Sequence, residues 1–319
     1  MIGHVNNVNL LNNNVMKYIH PKRFYRLTKE ALYNLFWYYL LPDSWYLKYR
    51  YNKVFGKSLN LKVPKKFSEK IQWLKLYDRK QIYRKLVDKY EVKQIIGNII
   101  GEEYIIKTLG VWDKYEDIDF DTLPNQFVIK CTHDSASITI CLDKTNFEKD
   151  KHAWKYNDVY MKRDYYHFEN KQWVYKGIKP RIIVEEYIED EKYDSLSDYK
   201  LYCFNGIAKA VYVTINRFTN LSVSMYDMNW NLMPFEHIHP NQGEKISKPH
   251  NLSLMKNLAE KIAKFIDNPF VRIDFYEVNN IVYFGEVTFY PEGGMGYFNP
   301  EEWDEIFGDW IDLSKLYNK

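Results

Sequence analysis

Three charged residues stand inside two apolar runs, residues 271–276 and 283–289, which are typical of a pair of strands. Burying an isolated charge is costly, so Arg272, Asp274 and Glu286 each need a partner. Arg272 and Asp274 share a face because side chains alternate along a strand. A turn centred on Asn279 would place Arg272 opposite Glu286, with all three on one face, whereas a two-residue turn would send Glu286 to the other face. Two carboxylates beside an arginine suit Mg²⁺ bound to nucleotide phosphates, and the alternative is a buried ion-pair network without metal.

A second chemical feature follows Lys130, which ends an apolar run. Residues 132–137 are mostly small and polar, and another apolar run follows them. A lysine at the end of a strand, with small residues after it, can hold phosphate oxygens, although the same pattern is often a plain hairpin loop. The chain contains neither G-x-x-x-x-G-K-[ST] nor G-x-G-x-x-G, which argues against a P-loop or a Rossmann site.

The elements that position these residues follow from periodicity and turn signals. Helices are predicted over residues 28–39, 46–54, from 68 onward, 80–96 with Gly97 ending it, and 252–266. Strands are predicted over residues 127–130, 138–142, 181–188, 200–204, 207–215, 270–277 and 281–289. The dipeptide Asn205-Gly206 is a strong hairpin signal between two of them. The pattern predicts an α+β fold with a helical N-terminal portion and two largely antiparallel lobes.

The net charge of +3 hides an asymmetry, because residues 1–85 contain 18 Lys or Arg against 4 Asp or Glu. Such a basic segment could bind nucleic acid or an anionic membrane. Alternatively, it could pack on the acidic remainder of the chain or bind an anionic substrate. No recognised nucleic-acid-binding motif accompanies the charge, so no nucleic-acid partner is expected. The aromatic residues between Trp45 and Phe55 predict either peripheral contact with a membrane or, more commonly, a core or partner-binding face.

Three cysteines without C-x-x-C spacing argue against a disulfide framework and against a structural zinc site. The chain has no run of about 20 apolar residues, the length that a transmembrane helix needs. The N-terminal residues lack the charged and apolar regions of a secretory signal. We therefore expect a cytoplasmic protein, with peripheral contact at the inner face of the membrane as the alternative.

Taken in order, these patterns resemble the ATP-grasp superfamily, and specifically its TupA-like branch from polysaccharide biosynthesis clusters. The stretches that resemble the branch are residues 70–75, 109–113, 130–135, 198–206, 270–276 and 284–291. The resemblance spans about residues 64–312. It implies an ATP-grasp fold, in which two α+β lobes with largely antiparallel sheets grip ATP. The expected division is a helical, basic and aromatic extension at 1–63, a first lobe at 64–190, and a second lobe with the metal site at 191–319.

The resemblance also implies nucleotide-binding roles. The residues concerned are Lys89, Lys130, Ser135, Ala136, Ser137, Glu185, Glu186, Tyr187, Ile188, Asp190 and Lys200. Lys130 and Lys200 would contact phosphates, and residues 135–137 would form a mobile loop over them. Residues 185–188 would meet adenine through the backbone of Glu186 and Ile188. Either Asp190 or the next residue, Glu191, would hold the ribose hydroxyls.

For catalysis, the resemblance implies that Arg272, Lys200 and Lys130 stabilise the reacting phosphoryl group, and that Asp274, Glu286 and Thr288 bind Mg²⁺. Two positions depart from the family pattern. Thr288 stands where asparagine is common, which weakens one metal ligand. Ala136 stands where glycine is more usual, which matters only if the backbone there needs a positive φ.

The implied activity is an ATP- and Mg²⁺-dependent ligase that joins a carboxylate to an amine through an acyl-phosphate. The branch suggests a uronic acid of a capsular or cell-surface polysaccharide precursor as the acid, and a small amine as its partner. The acid could be received by Lys176, Lys179, Arg181 or Arg217, each of which could equally be a surface charge. His133 could deprotonate the amine or be a solvated loop residue. The alternatives are a glycosyltransferase or a kinase of polysaccharide biosynthesis, or a non-catalytic adaptor.

Overall fold

The structure is a computed structural model that describes residues 35–190, 195–217, 219, 221–240 and 246–317. The chain divides into two compact units, residues 1–46 and 47–319. The described part of the first unit contains the π-helical segment Leu35–Leu40 and the start of helix α1, Asp43–Phe55. Most of the helix predicted over residues 28–39 lies outside the described residues. The predicted helix at 46–54 is confirmed as part of α1.

Helices of the second unit occur mainly before the sheets and near the C-terminus. They are α2 (Phe67–Tyr77), α3 (Ile82–Val87), α4 (Glu91–Ile100), α5 (Lys149–Trp154), α6 (Tyr165–Phe168), α7 (Leu252–Ile266), α8 (Glu302–Asp309) and α9 (Ser314–Tyr317). Short 3₁₀ segments lie at Glu102–Tyr104, Tyr115–Asp117, Phe120–Thr122, Lys144–Asn146, Trp173–Tyr175 and Pro291–Gly294, and a π-helical segment lies at Lys155–Tyr160. The helices predicted from residue 68 and over 252–266 are confirmed by α2 and α7.

The single helix predicted over residues 80–96 is wrong, because the chain breaks at Asp88 into α3 and α4. Asp88 has an extended backbone, and its carboxylate accepts the N–H groups of Tyr90 and Glu91, both at 2.9 Å. These bonds satisfy donors that a helix start otherwise leaves unpaired. Gly97 lies inside α4, and the helix ends instead at Gly101, whose φ of 115° few other residues adopt.

A four-stranded antiparallel sheet, the small sheet, has the strand order β1-β4-β2-β3. Its strands are β1 (Thr108–Trp112), β2 (Phe127–Cys131), β3 (Ile138–Cys141) and β4 (Ile182–Glu186). The predictions for β2, β3 and β4 are confirmed, whereas β1 was not predicted. Along β2, Phe127 and Ile129 pack in a core with Phe120 and Tyr156, and alternation places Lys130 on the other face.

A five-stranded antiparallel sheet, the large sheet, has the order β10-β9-β5-β6-β7. Its strands are β5 (Asp198–Phe204), β6 (Ile207–Ile215), β7 (Ser222–Asp227), β9 (Phe270–Val278) and β10 (Ile281–Thr288), and a separate pair joins β8 (Glu236–His237) to β11 (Phe298–Asn299). Helix α7 packs against β5, β6 and β9. Asn205 and Gly206 have φ of 50° and 83°, as the predicted tight turn requires.

The register predicted for the β9–β10 hairpin is wrong. Asn279 and Asn280 form a two-residue turn with φ of 51° and 63°, so Ile281 pairs with Val278. That turn alone would have sent Glu286 to the opposite face. The register instead shifts at Gly285, between Phe284 and Glu286.

The shift at Gly285 is a β-bulge, and beyond it Glu286 pairs with Asp274 and Thr288 pairs with Arg272. A Cβ atom at Gly285 would lie 3.1 Å from the Asp274 carbonyl oxygen, so glycine eases the close approach. The bulge therefore returns Glu286 to the face that the sequence predicted, by a different route.

The described residues form an α+β fold built on two antiparallel sheets, as predicted. No helix among them is long and apolar enough to span a membrane. In the aromatic stretch of α1, Trp45 is 66% exposed, whereas Tyr51 is buried and its hydroxyl lies 2.9 Å from the Ser68 hydroxyl. Tyr51 is therefore not available to a membrane surface. The domain division at residues 63 and 190 stays a prediction.

Candidate active site

A buried carboxylate lies between two lysines on one face of the small sheet. Lys130 of β2 donates to Glu185 of β4 at 2.6 Å, and Lys93 of α4 donates to the other oxygen of the same carboxylate. Burial would raise the pKa of Glu185, but the two ammonium groups lower it to about 2. The side chain of Glu185 is thus committed to Lys130 and Lys93. Lys93 was not predicted, because it reads as an ordinary helix lysine.

Lys89 lies beside the loop that follows Lys130. The break before α4 frees its backbone N–H, which donates to the Thr132 carbonyl at 3.0 Å. Its ammonium group donates to the Asp134 carbonyl. The prediction that Lys89 lies on a helix is wrong, but the structure brings Lys89 and Lys130 to the same loop, as ATP-phosphate contacts would require.

The loop itself is held from inside by Asp134. The Ser137 hydroxyl donates to its carboxylate, and the Cys131 N–H donates to the Ser137 hydroxyl at 3.0 Å. Arg163 donates to the Asp134 carboxylate and to the Ser135 carbonyl, each at 2.9 Å. Arg163 was missed, since nothing in its local sequence distinguishes it from a surface charge.

Ala136 has a φ of 68°, so the departure from glycine falls where a positive φ is needed. A non-glycine residue in the left-handed region costs about 1–2 kcal/mol. Ala136 and Ser135 are exposed, while Ser137 is buried. The tip of the loop therefore faces solvent in a strained conformation.

His133 is 3% exposed, so the reading of a solvated loop histidine is wrong. Burial lowers the pKa of His133, which keeps its ring neutral near neutral pH. Its role as a base stays a prediction.

On the large sheet, Arg272 joins two carboxylates. Its guanidinium donates to both oxygens of Asp274, at 2.8 and 2.7 Å, and to Glu286 at 2.9 Å. Lys200 of β5 donates to Asp274 at 3.0 Å, and the Thr288 hydroxyl donates to Glu286 at 3.1 Å. The predicted catalytic and metal residues of this lobe therefore lie together on one face of the sheet.

The two carboxylates differ in environment. Asp274 is 1% exposed, and its burial raises the pKa to about 6, against the opposing effect of Arg272 and Lys200. The side chain of Glu286 is 48% exposed. Burial would raise the pKa of Glu286, but Arg272 and Lys200 lower it to about 2. Arg272 and Lys200 favour the ionised form of both carboxylates, which is the form that Mg²⁺ binds.

These residues fit a magnesium ion that is also bound by phosphate. Across the described ranges, no three His, Cys, Asp or Glu side chains gather into a metal-binding group. Asp274 and Glu286 would therefore supply two hard oxygens, the Thr288 hydroxyl a weaker one, and phosphate and water the rest.

Lys200 also donates to Asp198, which accepts a second bond from Arg217 at 2.7 Å. Arg217 is half exposed. Of the four basic residues considered for binding the acid, it is the one bonded to this cluster. Lys179 pairs with Asp113 at 2.7 Å.

The other two basic residues considered for the acid, Arg181 and Lys176, contact other parts of the protein. Arg181 pairs with Asp88 and Glu91, at 3.2 and 3.0 Å, and Lys176 lies over the ring of Tyr166.

The segment predicted to meet adenine, residues 185–188, spans the end of β4 and the two residues after it. The Glu186 N–H donates to the Lys107 carbonyl at 3.0 Å, and Glu186 is exposed, while Tyr187 and Ile188 are partly buried. Asp190 accepts a long bond of 3.5 Å from the Ser197 hydroxyl. Glu191, the other candidate for the ribose, lies outside the described residues.

No curated protein matches this chain in sequence. Among solved structures, it is similar to D-alanine–D-alanine ligase from Bacillus anthracis complexed with ATP, at 16% identity and a TM-score of 0.41, covering 73% of this chain and 67% of that one. It is similar to the same ligase from Helicobacter pylori, at 14% identity and a TM-score of 0.38, covering 72% and 61%.

A RimK domain ATP-grasp protein from Sphaerobacter thermophilus DSM 20745 is similar at 11% identity and a TM-score of 0.40, covering 74% and 70%. The chain thus spans less than two thirds of the Helicobacter pylori ligase.

These likenesses are weak, and the assignment rests on the sequence family instead. The TupA-like ATPgrasp family matches residues 69–312, a span that contains both sheets and every predicted site residue. The match confirms the expected branch and the ATP-grasp fold. The chain therefore belongs to the TupA-like ATPgrasp family.

Proposed function

We propose that this protein is an ATP- and Mg²⁺-dependent ligase that joins a carboxylate to an amine through an acyl-phosphate. The observation that carries the proposal is the convergence of Arg272, Asp274 and Glu286 on one face of the large sheet. In an ATP-grasp protein, paired carboxylates suit the metal, and the arginine beside them suits the charge of the reacting group.

A carboxylate is a poor electrophile, so its attack by an amine requires a better leaving group. Bound Mg²⁺, held by Asp274 and Glu286, would neutralise phosphate charge. Lys130 and Lys89 would bind phosphate oxygens from the small sheet, and Arg272 and Lys200 would stabilise charge on the transferring phosphoryl group. The loop at 132–137 would exclude water, which otherwise hydrolyses the acyl-phosphate.

The proposed acid is a uronic acid of a capsular or cell-surface polysaccharide precursor, free or nucleotide-linked, and the amine is small. The acid follows from the TupA-like branch. Arg217 supports an acidic substrate, because a half-exposed guanidinium beside Lys200 can pair with a carboxylate. The amine is proposed only as a class.

The test is release of ADP and phosphate from Mg-ATP with a panel of uronic acids, each with and without a mixture of amino acids and amino alcohols. Formation of both products only when acid and amine are present supports the ligase. ADP without phosphate would indicate a kinase. Release of UDP from a sugar nucleotide, without ADP, would indicate a glycosyltransferase and overturn the proposal.

The intermediate has its own test, because hydroxylamine converts an acyl-phosphate into a hydroxamate. Wild-type protein with ATP, Mg²⁺ and the correct acid should form hydroxamate without any other amine. Asp274→Asn should abolish this product. The matched control is Asp121→Asn, whose carboxylate is 95% exposed and should leave hydroxamate formation unchanged.

A further inference from the structure

A buried acid stands in the loop that the proposed function assigns to phosphate. The Asp134 side chain is completely buried, between Lys130 on one strand and Ser137 before the next. ATP brings several negative charges to such a loop. Because like charges at close range repel strongly where water is excluded, an uncompensated carboxylate would oppose nucleotide binding.

Arg163 compensates this charge. One nitrogen of its guanidinium donates to the Asp134 carboxylate and to the Ser135 carbonyl, each at 2.9 Å. The same side chain therefore neutralises the acid and holds the loop backbone. Arg163 follows the π-helical segment Lys155–Tyr160, so the restraint comes from outside the two strands that the loop connects.

The remaining contacts fix the orientation of the acid. The Ser137 hydroxyl donates to the Asp134 carboxylate, and Lys89 donates to the Asp134 carbonyl. Lys89 thus touches the backbone of the residue whose side chain Arg163 holds. The ion pair between Arg163 and Asp134 and the placement of Lys89 belong to one hydrogen-bonded unit.

We propose that Arg163 is a positioning residue for the nucleotide triphosphate, acting by neutralising Asp134 and holding the loop at 132–137 in its phosphate-accepting conformation. This inference rests on the proposed ATP site. Arg163 acts through Asp134, so its importance should vanish when Asp134 carries no charge. It should also be confined to phosphate, since adenosine brings no charge to the loop.

The experiment is calorimetric titration with Mg²⁺ and a non-hydrolysable ATP analogue, and separately with adenosine. The variants are Arg163→Met, Asp134→Asn and the double variant, which complete a cycle of single and double changes. The matched control is Lys162→Met, which removes the neighbouring positive charge. Lys162 is exposed and pairs with Asp158 at 2.6 Å, outside the loop.

Arg163→Met should weaken binding of the ATP analogue by at least about tenfold, because it leaves a buried carboxylate unpaired. The double variant should recover most of that loss, and Lys162→Met should bind as wild type does. Adenosine should bind all variants equally. A double variant as weak as Arg163→Met, or a parallel loss for adenosine, would overturn the inference and leave a merely structural role.

Two further outcomes keep the test decisive. If Arg163→Met does not fold, the double variant is compared with Asp134→Asn, and a difference above about tenfold between them contradicts a role exerted through Asp134. If wild-type protein binds both adenosine and the ATP analogue, and Arg163→Met binds the analogue equally well, this inference alone is overturned. Wild-type protein that binds neither overturns the proposed function and the inference together.

Discussion

The two sheets each bury a cluster of ion pairs, but the excess charge differs. On the small sheet, one carboxylate, Glu185, serves two lysines, Lys130 and Lys93. On the large sheet, Arg272 bridges Asp274 and Glu286, and Lys200 also pairs with Asp274, so the charges balance. The small-sheet cluster has one more positive than negative charge, whereas the two carboxylates of the large sheet lie side by side. The first arrangement suits a phosphate, and the second suits the metal that accompanies it.

The clusters also differ in exposure. Glu185 is buried and its two lysines are partly buried, so removing a charge from this cluster should destabilise the fold. Glu286 lies half exposed at the rim, with Asp274 buried behind it. A half-exposed carboxylate exchanges partners more readily than a buried one when a ligand arrives. The comparison predicts that variants on the large sheet affect chemistry first, and that those on the small sheet affect stability as well.

Asp274→Asn should have the largest effect, because it removes the charge of the buried carboxylate that we propose binds Mg²⁺, while keeping the shape of the side chain. We expect ADP formation to fall by about 10³-fold at saturating Mg²⁺ and substrates. The measurement is the Mg²⁺ dependence of ADP release with the identified acid and amine. Loss of less than about tenfold would mean that Asp274 serves only the ion-pair network.

Lys130→Met should act on both function and fold. We expect kcat/KM for ATP to fall about 100-fold, since the variant lacks the positive charge that we propose binds phosphate. We also expect the free energy of unfolding to fall by about 1–3 kcal/mol, since Glu185 keeps only Lys93. Urea denaturation and ATP kinetics give the two readouts. A Lys130→Met/Glu185→Gln double variant should be less stable still, because Lys93 then loses its carboxylate partner as well.

The stability loss of Lys130→Met should depend on pH. The pKa of Glu185 is about 2 in the folded protein, against 4.5 for the unperturbed group. A lowered pKa contributes stability above the unfolded value, and this contribution is lost as pH falls through the folded value. The difference between wild type and variant should therefore be full above pH 4.5 and shrink toward pH 2. A difference that stays constant would assign the loss to packing.

Thr288→Asn would restore an amide oxygen beside Glu286, where the structure has a hydroxyl. We expect the Mg²⁺ concentration for half-maximal activity to fall by about two- to fivefold, because an amide oxygen is the better hard ligand. Thr288→Val, which keeps the shape and removes the hydroxyl, should raise it. Equal values for all three proteins would show that residue 288 does not contribute to metal binding.

Ala136→Gly should give the smallest effect, an increase in the free energy of unfolding of about 1 kcal/mol, because glycine adopts the positive φ at residue 136 without strain. Urea denaturation measures it. Ala153→Gly in α5 is the control and should change stability in the opposite direction, since its backbone is helical. Destabilisation by both substitutions would contradict a strained loop tip.

The break between α3 and α4 has a signal in the sequence that the apolar periodicity hides. Asp88 followed by Glu91 is the spacing of a helix start, and both residues are in the printed sequence. The apolar periodicity continues across the break, because Val87 and Val92 pack in the same core, and this continuity concealed it. Two helices that share one core can look like one helix in sequence.

Lys93 and Arg163 could not have been found in this way. Lys93 of α4 forms an ion pair with Glu185 of β4, and Arg163 forms an ion pair with Asp134, which lies 29 residues earlier in the chain. Each is a charged residue in a charged neighbourhood. A local sequence pattern cannot predict a partner that is distant in the chain, so these contacts are seen only once the elements are packed together.

The sequence by itself determined which charges had to be paired, since Arg272, Asp274 and Glu286 stand in apolar strands where an isolated charge is unstable. It also determined the types of the principal elements, through periodicity that acts over a few residues. The tertiary structure decided the register of β9 and β10. The bulge at Gly285 restores a face that the turn would otherwise have reversed, and a shift of one residue depends on contacts across the strands.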